Sequence, residues 1–226
     1  MVYITGDTHL PIDKKKLYPS KFSEQKTMTK DDILIICGDF GGVWDGKYHD
    51  KQCLNWMQDK NFTTAFVAGN HENYSLLNKY PVIEWNGGKV HQIRKSIFHL
   101  INGEIYTIQG KKFFVMGGAT SHDRYWRIPG ISWWPDEIPS KKERDFAVEN
   151  LRNHDNKVDY IITHCAPTLI QKKLNPSYKK DLLTDYFNRI YRTVSFEEWY
   201  CGHYHEDFDF VNERVFVRYH QIDRIV

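Results

Sequence analysis

Histidine, aspartate and asparagine occur in five short motifs, each placed directly after a short apolar run. These motifs are Gly6-Asp7-Thr8-His9, Gly38-Asp39, Gly69-Asn70-His71-Glu72, the single His164, and Gly202-His203-Tyr204-His205. Their side chains offer carboxylate oxygen, amide oxygen and imidazole nitrogen, which are ligands for divalent transition metals such as Mn²⁺, Fe²⁺ and Zn²⁺. A single such motif is typical of a turn, because Asp, Asn and Gly favour turns. Five of them, each closing an apolar run, indicate a metal site.

The number of these side chains predicts more than one ion. Two carboxylates, several imidazoles and one amide oxygen exceed what a single tetrahedral ion requires. A two-metal site with a shared carboxylate fits the set better, with ions about 3.5–4 Å apart.

The ordered set of motifs resembles the calcineurin-like metallophosphoesterase superfamily, and it extends from Gly6 to His205. The resemblance implies an α/β fold, a four-layered α/β/β/α sandwich of mixed sheets flanked by helices, with a dinuclear site above the strand ends. It also implies a role for each motif residue. Asp7, His9 and His205 would bind the first metal, Asn70, His164 and His203 the second, and Asp39 would bridge the two. His71 would stay off the metals, close to the leaving-group oxygen.

The chemistry implied by this resemblance is hydrolysis of a phosphomonoester or a phosphodiester. Two bound ions lower the pKa of a water molecule and produce hydroxide near neutral pH, which attacks phosphorus in line. Asp39 and His71 are then the catalytic residues, and His71 stabilises charge and assists the leaving group. Two divalent ions are the expected cofactors, with Mn first and Fe, Zn or Ni as alternatives. The expected partner is a small phosphorylated substrate or a nucleotide.

Residues 117–137 form the most individual stretch of the chain, and the strand before it predicts a position near the metal rim. Arg124 or Arg127 is expected to grip a phosphate through paired hydrogen bonds. Trp126, Trp133 or Trp134 is expected to stack on a planar group such as a base. The alternative is a rigid aromatic loop that only packs against the sandwich. The amino-acid sequence of this stretch resembles that of small phosphoesterases of phage and mobile elements in Gram-positive bacteria.

Two departures make a phosphoprotein phosphatase the less favoured reading. The resembling phosphatases carry an arginine in the second motif and another just before the third. Here the second motif continues Phe40-Gly41-Gly42-Val43, and Ala68 precedes Gly69. Two further alternatives remain open: a nuclease acting on DNA or RNA, and a scaffold that kept the fold but lost catalysis. A net charge of +2 disfavours the nuclease, because each neutralised phosphate needs a Lys or Arg.

The apolar runs and helical periodicities predict the elements that position these motifs. Strands are expected at 2–5, 32–37, 64–68, 160–163 and 198–201. Helices are expected at 48–60, 140–153 and 181–192. Hairpins are expected at 105–116, turning at Gly110-Lys111, and at 208–219, turning at Asn212-Glu213. Strand and helix alternate early and antiparallel strands follow, which predicts mixed sheets flanked by helices. In such sheets, ligands bind beyond the carboxyl ends of the strands.

Composition sets the remaining bounds. The chain has 226 residues, 41% hydrophobic and 27% charged, and we expect one metallophosphoesterase domain over 1–226. No stretch approaches the roughly 18 apolar residues of a membrane span. The N-terminal residues carry no secretory signal pattern, so the expected location is cytoplasmic. The four cysteines form no C-x-x-C pair and are expected to be buried thiols.

Overall fold

The computed structural model describes all of residues 1–226, which form thirteen strands and five α-helices. The strands are β1 Val2–Thr5, β2 Ile33–Ile36, β3 Thr63–Phe66, β4 Val82–Trp85, β5 Gly88–Arg94, β6 Ile97–Leu100, β7 Ile105–Ile108, β8 Lys111–Met116, β9 Tyr160–Thr163, β10 Glu198–Cys201, β11 Phe208–Phe210, β12 Val215–Val217 and β13 Asp223–Arg224. The helices are α1 Tyr48–Gln58, α2 Tyr74–Leu77, α3 Lys141–Asn153, α4 Thr168–Leu174 and α5 Leu182–Thr193.

The strands form two mixed sheets. The first has seven strands in the order β13-β1-β2-β3-β6-β5-β4, and the second has six in the order β11-β12-β10-β9-β8-β7. In the first sheet β1, β2, β3 and β6 run parallel, and in the second β8, β9, β10 and β12 do. The central strands are continuous apolar runs because each is covered on both faces.

Alternation along β2 shows how the layers pack. Leu34 and Ile36 point toward α1 and join a core with Leu54 and Met57, whereas Ile33 and Ile35 point toward the second sheet. A third core lies between the second sheet and helices α3 and α5. Three apolar cores between four layers give the α/β/β/α sandwich that the family resemblance implies.

The predicted helices are present, with small shifts at their ends. Ser140 caps α3 in a capping box with Glu143, and Asp181 caps α5. The first hairpin turns at Gln109-Gly110, both with positive φ, rather than at Gly110-Lys111. The second turns through the 3-10 helix Val211–Glu213. The turn of the first hairpin therefore lies one residue earlier than predicted. Two-residue turns with positive φ at both residues match the twist of the flanking strands, and Gln109 and Gly110 have these conformations.

The strands β4, β5 and β6, in which β5 runs antiparallel to both neighbours, were not predicted. β4 alternates exposed and half-buried residues at the sheet edge, so its sequence lacks an apolar run. β5 and β6 bury a histidine pair, His91 and His99, whose Nδ1 atoms lie 2.9 Å apart. Polar residues in these strands hide the strand pattern.

Two further sequence expectations concern burial and apolar length. All four cysteines are buried, as predicted. None of the helices combines the length and the apolar composition that a bilayer crossing requires.

Candidate metal centre

The five motifs lie at one end of the sandwich, where the carboxyl ends of the parallel strands meet. The first sheet contributes Asp7 and His9 after β1, Asp39 after β2, and Asn70 and His71 after β3. The second sheet contributes His164 after β9 and His203 and His205 after β10. An ion bound among these side chains would therefore be held by residues that follow strands of both sheets.

The first group of candidate ligands is compact. One ligand atom from each of Asp7, His9, Asp39 and His205 lies within 4.8 Å of the others. The Nε2 atom of His9 is 3.2 Å from Oδ2 of Asp39. Asp7 and Asp39 are buried, whereas His205 is exposed, so the group is open on one side.

The second group adjoins the first through Asp39. The Nε2 atom of His164 is 3.1 Å from Oδ1 of Asn70 and 3.4 Å from Oδ2 of Asp39. The ring of His203 packs edge-on against the ring of His164, with centroids 5.0 Å apart. The Asp39 carboxylate oxygen Oδ2 thus faces both groups, which is the position expected of a bridging ligand.

Backbone strain is concentrated in these motifs. Ten non-glycine residues have positive φ, and five of them are Asp7, His9, Asp39, His203 and His205. Such conformations cost energy and are common at functional sites. A Cβ at Gly69 would lie 2.0 Å from Oδ1 of Asp39, so a side chain at this position would displace the carboxylate.

The electrostatics show what burial of this cluster costs. Burial raises the pKa of Asp7 to about 6, despite the opposing charge of His164. Burial also disfavours ionisation of Asp39, but the charge and hydrogen bond of His164 outweigh it and hold the pKa of Asp39 well below its usual range. Burial lowers the pKa of His164, yet the Asp39 carboxylate outweighs that effect and raises it to about 9.

The donor set fits divalent transition metal ions. Oδ1 of Asp7 is buried and has no hydrogen-bond partner, and an unpartnered buried carboxylate oxygen is costly unless a cation satisfies it. Oxygen and imidazole ligands without thiolate suit Mn²⁺, Fe²⁺ or Zn²⁺.

Neighbouring groups orient the imidazoles of the candidate ligands. His164 donates from Nδ1 to the carbonyl oxygen of Cys37 at 2.8 Å, which directs Nε2 toward Asp39 and Asn70. Nδ1 of His9 bonds Oδ2 of Asp13 at 2.8 Å and leaves Nε2 facing Asp39. Such outer contacts fix the tautomer and ring direction of metal-binding histidines.

Ser121 and Glu137 orient Asn70, and sequence reasoning gave them no role. The amide nitrogen of Asn70 donates to Oγ of Ser121 at 3.3 Å, and that hydroxyl donates to Oε2 of Glu137 at 2.6 Å. Glu137 is 1% exposed. Because the amide nitrogen is engaged, Oδ1 faces His164. No motif marks these two residues, so only their position in the 117–137 segment hinted at a role.

Lys16 is another supporting residue that the sequence did not reveal. Its ammonium group donates to the carbonyl oxygens of Gly6, Asp7 and Tyr219. The Tyr219 ring stacks on His205, with centroids 4.8 Å apart. These carbonyl contacts of Lys16 tie the β1 motif to the C-terminal segment.

His71 lies at the edge of the cluster and contacts Arg127. Nη2 of Arg127 is 3.2 Å from Nδ1 of His71, and the backbone nitrogen of His71 donates to Oδ1 of Asp39 at 2.8 Å. Burial lowers the pKa of His71, and the charge of Arg127 lowers it further against the opposing effect of Asp39.

The residues expected to bind substrate differ in their contacts and in their exposure to solvent. Arg127 is held by Oδ1 of Asp123 at 2.8 Å and reaches His71. Arg124 is exposed beside Tyr125, and Trp133 is half-buried.

Trp134 requires a correction. It is 3% exposed, packs edge-on against Trp44 and donates to Oγ of Ser75. Its rings have no face free for a substrate, so Trp134 is a packing residue. Trp126 is 91% exposed and has no role in the core.

Comparisons with known proteins bear on the family and the fold of this chain. The family model for calcineurin-like phosphoesterases matches residues 1–207. Lariat debranching enzyme A from Xenopus laevis is 25% identical over 210 residues, which cover 83% of this chain and 37% of that protein. A Staphylococcus aureus crystal structure, described provisionally as a 5′-nucleotidase in complex with alpha-ketoglutarate, superposes with a TM-score of 0.53 at 15% identity. That match covers 98% of this chain and 49% of the other, so the chain spans less than half of either relative.

Proposed function

The chain belongs to the calcineurin-like phosphoesterase family, and we propose that it hydrolyses a phosphomonoester or phosphodiester with two divalent metal ions bound at the carboxyl ends of its parallel strands. The observation that carries this proposal is the position of Asp39. One oxygen of its carboxylate lies 3.2 Å from His9 and 3.4 Å from His164, which belong to the two ligand groups. A single side chain that faces both groups is what a bridged pair of ions requires.

The proposed ligand sets follow the two groups. Asp7, His9 and His205 would hold the first ion, Asn70, His164 and His203 the second, and Asp39 both. When bound, two such ions supply Lewis acidity that activates water and neutralises phosphate charge. Mn²⁺ is our first choice, with Fe, Zn and Ni as alternatives that the same donors accept.

The chain's own polar groups complete the site. Arg127 is fixed by Asp123 at one edge of its guanidinium and has Nη2 directed at His71. A phosphate bound beside the candidate ligands would accept hydrogen bonds from this guanidinium, which is suited to paired contacts with phosphate oxygens. The backbone nitrogen of His71 donates to Asp39, and the proposed role of the His71 side chain is to contact the departing oxygen.

Asp39→Asn is the most direct test of the bridging role. The variant keeps the size of the side chain but weakens the shared ligand, so we expect metal content and turnover of bis-p-nitrophenyl phosphate to fall together. Asp145→Asn is the matched control, because Asp145 lies on the exposed face of α3. A fully metallated and active Asp39→Asn enzyme would overturn the bridging role.

His71→Ala separates catalysis from metal binding. We expect the variant to retain both ions in elemental analysis and to lose turnover by about 10²–10⁴-fold, the usual contribution of a positioned acid–base group. If metal content falls with activity, His71 is a ligand and its proposed role is wrong.

A nuclease is the second candidate, and the lariat debranching relative favours it. Its discriminating property is salt dependence, because each phosphate contact made by Lys or Arg steepens the fall of affinity with salt. A steep decline of nucleic-acid affinity with salt concentration would support a nuclease. Nucleic-acid binding that does not depend on salt, together with hydrolysis of small phosphoesters, would support the first proposal. Bound metal with no hydrolysis of any ester would indicate a scaffold.

A further inference from the structure

A cavity of about 320 Å³ opens beside the candidate metal centre. Two of its lining residues, His9 and His71, also belong to that centre. The residues Leu10, Pro11 and Ile12 form one wall, and Trp44 with the start of α1 forms another. His71, the proposed contact of the departing oxygen, lines this cavity, so the departing group of an ester bound at the candidate ligands would lie next to this space.

The cavity is preformed by specific contacts. Oδ2 of Asp50 accepts hydrogen bonds from the backbone nitrogens of Trp44, Asp45 and Gly46 at 2.7–2.9 Å, which fixes the loop that carries Trp44. Trp44 is braced edge-on against the buried Trp134, with centroids 5.5 Å apart. At Gly41, which has φ +76°, a Cβ would lie 2.4 Å from the backbone nitrogen of Leu10. This close approach keeps the Leu10–Ile12 wall against the second-motif loop.

The lining distinguishes charged from uncharged occupants. It includes the carboxylates of Asp45 and Asp50 and contains neither Lys nor Arg. The charge of Asp50 is shared among three amides, whereas Asp45 is exposed at the rim. Ile12 is 77% exposed, so an apolar surface at the cavity is uncovered. The imidazoles of His9, His49 and His71 also line the cavity. A second phosphate would find no ammonium or guanidinium group here and would lie near the Asp45 carboxylate, whereas an uncharged ring would cover apolar surface.

We propose that this cavity binds the leaving group of the substrate, and that this group is an uncharged nucleoside. The proposal rests on the proposed phosphoesterase function and specifies its substrate as a nucleoside phosphate. Hydrolysis breaks the bond between phosphorus and the nucleoside oxygen. Phosphorus gains the oxygen of water, and one proton of that water ends on the nucleoside oxygen. The phosphate remains at the candidate metal centre beside Arg127, and the nucleoside occupies the cavity.

The test uses Ile12→Trp, which fills the cavity mouth at an exposed position that the core does not need. Val211→Trp is the matched control, because Val211 is 66% exposed and does not line the cavity. The probes are adenosine, thymidine and inorganic phosphate, each as an inhibitor of the Mn²⁺-loaded protein. We expect Ile12→Trp to weaken nucleoside inhibition at least fivefold, to lower kcat/KM for nucleoside monophosphates at least tenfold, and to leave phosphate inhibition within twofold.

Several outcomes overturn the proposal. The proposal is wrong if neither adenosine nor thymidine inhibits the wild-type protein at millimolar concentration. It is also wrong if Ile12→Trp and Val211→Trp have equal effects. Adenosine diphosphate cleaved at its terminal phosphate as efficiently as the monophosphate would contradict an uncharged leaving group.

Direct calorimetric binding of adenosine and thymidine to Asp39→Asn separates this proposal from the function itself. Nucleoside binding that survives in Asp39→Asn, and is lost when Ile12→Trp is added, supports the cavity even if hydrolysis by the wild type proves absent. Hydrolysis without nucleoside binding supports the function alone and rejects the cavity.

Discussion

Individual residues in the 117–137 segment act in two different ways on the site. Arg127 and Ser121 point inward, to His71 and Asn70, whereas Arg124 and Trp126 point to solvent. From the sequence alone, Arg124 and Arg127 are equally good candidates for phosphate binding, because both lie in the same aromatic stretch. In the structure Arg127, which pairs with Asp123, contacts His71, whereas Arg124 contacts the hydroxyl of Tyr125.

Arginine substitutions test this difference directly. We expect Arg127→Ala to lower kcat/KM for phosphomonoesters by about 10- to 1000-fold, since one positioned donor to a transition-state oxygen is worth up to that amount. Metal content should not change, because the guanidinium contacts His71 rather than a proposed ligand. Arg124→Ala serves as the control and should alter kcat/KM less than twofold. Equal losses in the two variants would contradict the assignment.

Ser121→Ala tests the orientation of Asn70. Removal of the hydroxyl frees the amide to rotate, and loss of such an outer contact typically weakens metal affinity by about 10–100-fold. Calorimetric titration with Mn²⁺ should show weaker binding of one ion and unchanged binding of the other. Ser23→Ala, at an exposed position, is the control. Unchanged affinity for both ions would remove Ser121 from the site.

At the scale of elements, the strand pair β5–β6 carries a buried titratable group remote from the five motifs. His99 stacks on His91 with parallel rings 5.2 Å apart and contacts Phe66. Burial, together with the smaller effect of His91, lowers the pKa of His99 to about 3. Between pH 3 and pH 6.5, His99 is therefore neutral in the folded protein but protonated in the unfolded chain, where its pKa is near the ordinary 6.5.

This difference predicts acid sensitivity with a defined sign. Above pH 6.5 both states are neutral and His99 imposes no cost. As the pH falls from 6.5 toward 3, the unfolded state takes up the proton and stability declines, by about 2 kcal/mol between pH 6.5 and 5. His99→Phe should flatten this decline in urea unfolding measured at pH 5 and 7. His49→Phe, at an exposed position, should keep the wild-type slope. A His99→Phe slope equal to that of the wild type would reject this explanation.

The elements also show how far sequence patterns reach. Strands β1, β2, β3, β9 and β10 were predictable because each is an apolar run that ends at a motif. The capping residues Ser140 and Asp181 fixed the starts of α3 and α5. Strands β4 to β6 were not predictable, because β4 is exposed at an edge and because His91 and His99 pair only across strands. Asn70's partners Ser121 and Glu137 were equally invisible, since they meet through the fold and not through spacing.

At the scale of the whole molecule, the candidate ligands join the two sheets. Asp7, Asp39 and Asn70 follow strands of the first sheet, and His164 and His203 follow strands of the second. A ligand that binds only the folded state stabilises it in proportion to the logarithm of its concentration, by about 2.7 kcal/mol at 100 times Kd.

Mn²⁺ should therefore raise the midpoint of thermal unfolding. We expect an increase that grows with Mn²⁺ concentration in the wild type, is much smaller in Asp39→Asn, and is unchanged in Asp145→Asn. Differential scanning fluorimetry after chelation and stepwise addition of Mn²⁺ measures it. A midpoint that does not respond to Mn²⁺ in the wild type would show that the ions do not hold the two sheets together.

The measurement that tests the central claim most directly is an anomalous diffraction map from crystals grown with Mn²⁺. The account predicts two peaks about 3.5–4 Å apart, with the Asp39 carboxylate between them, Asp7, His9 and His205 around one, and Asn70, His164 and His203 around the other. One peak alone, or two peaks that Asp39 does not join, would contradict it.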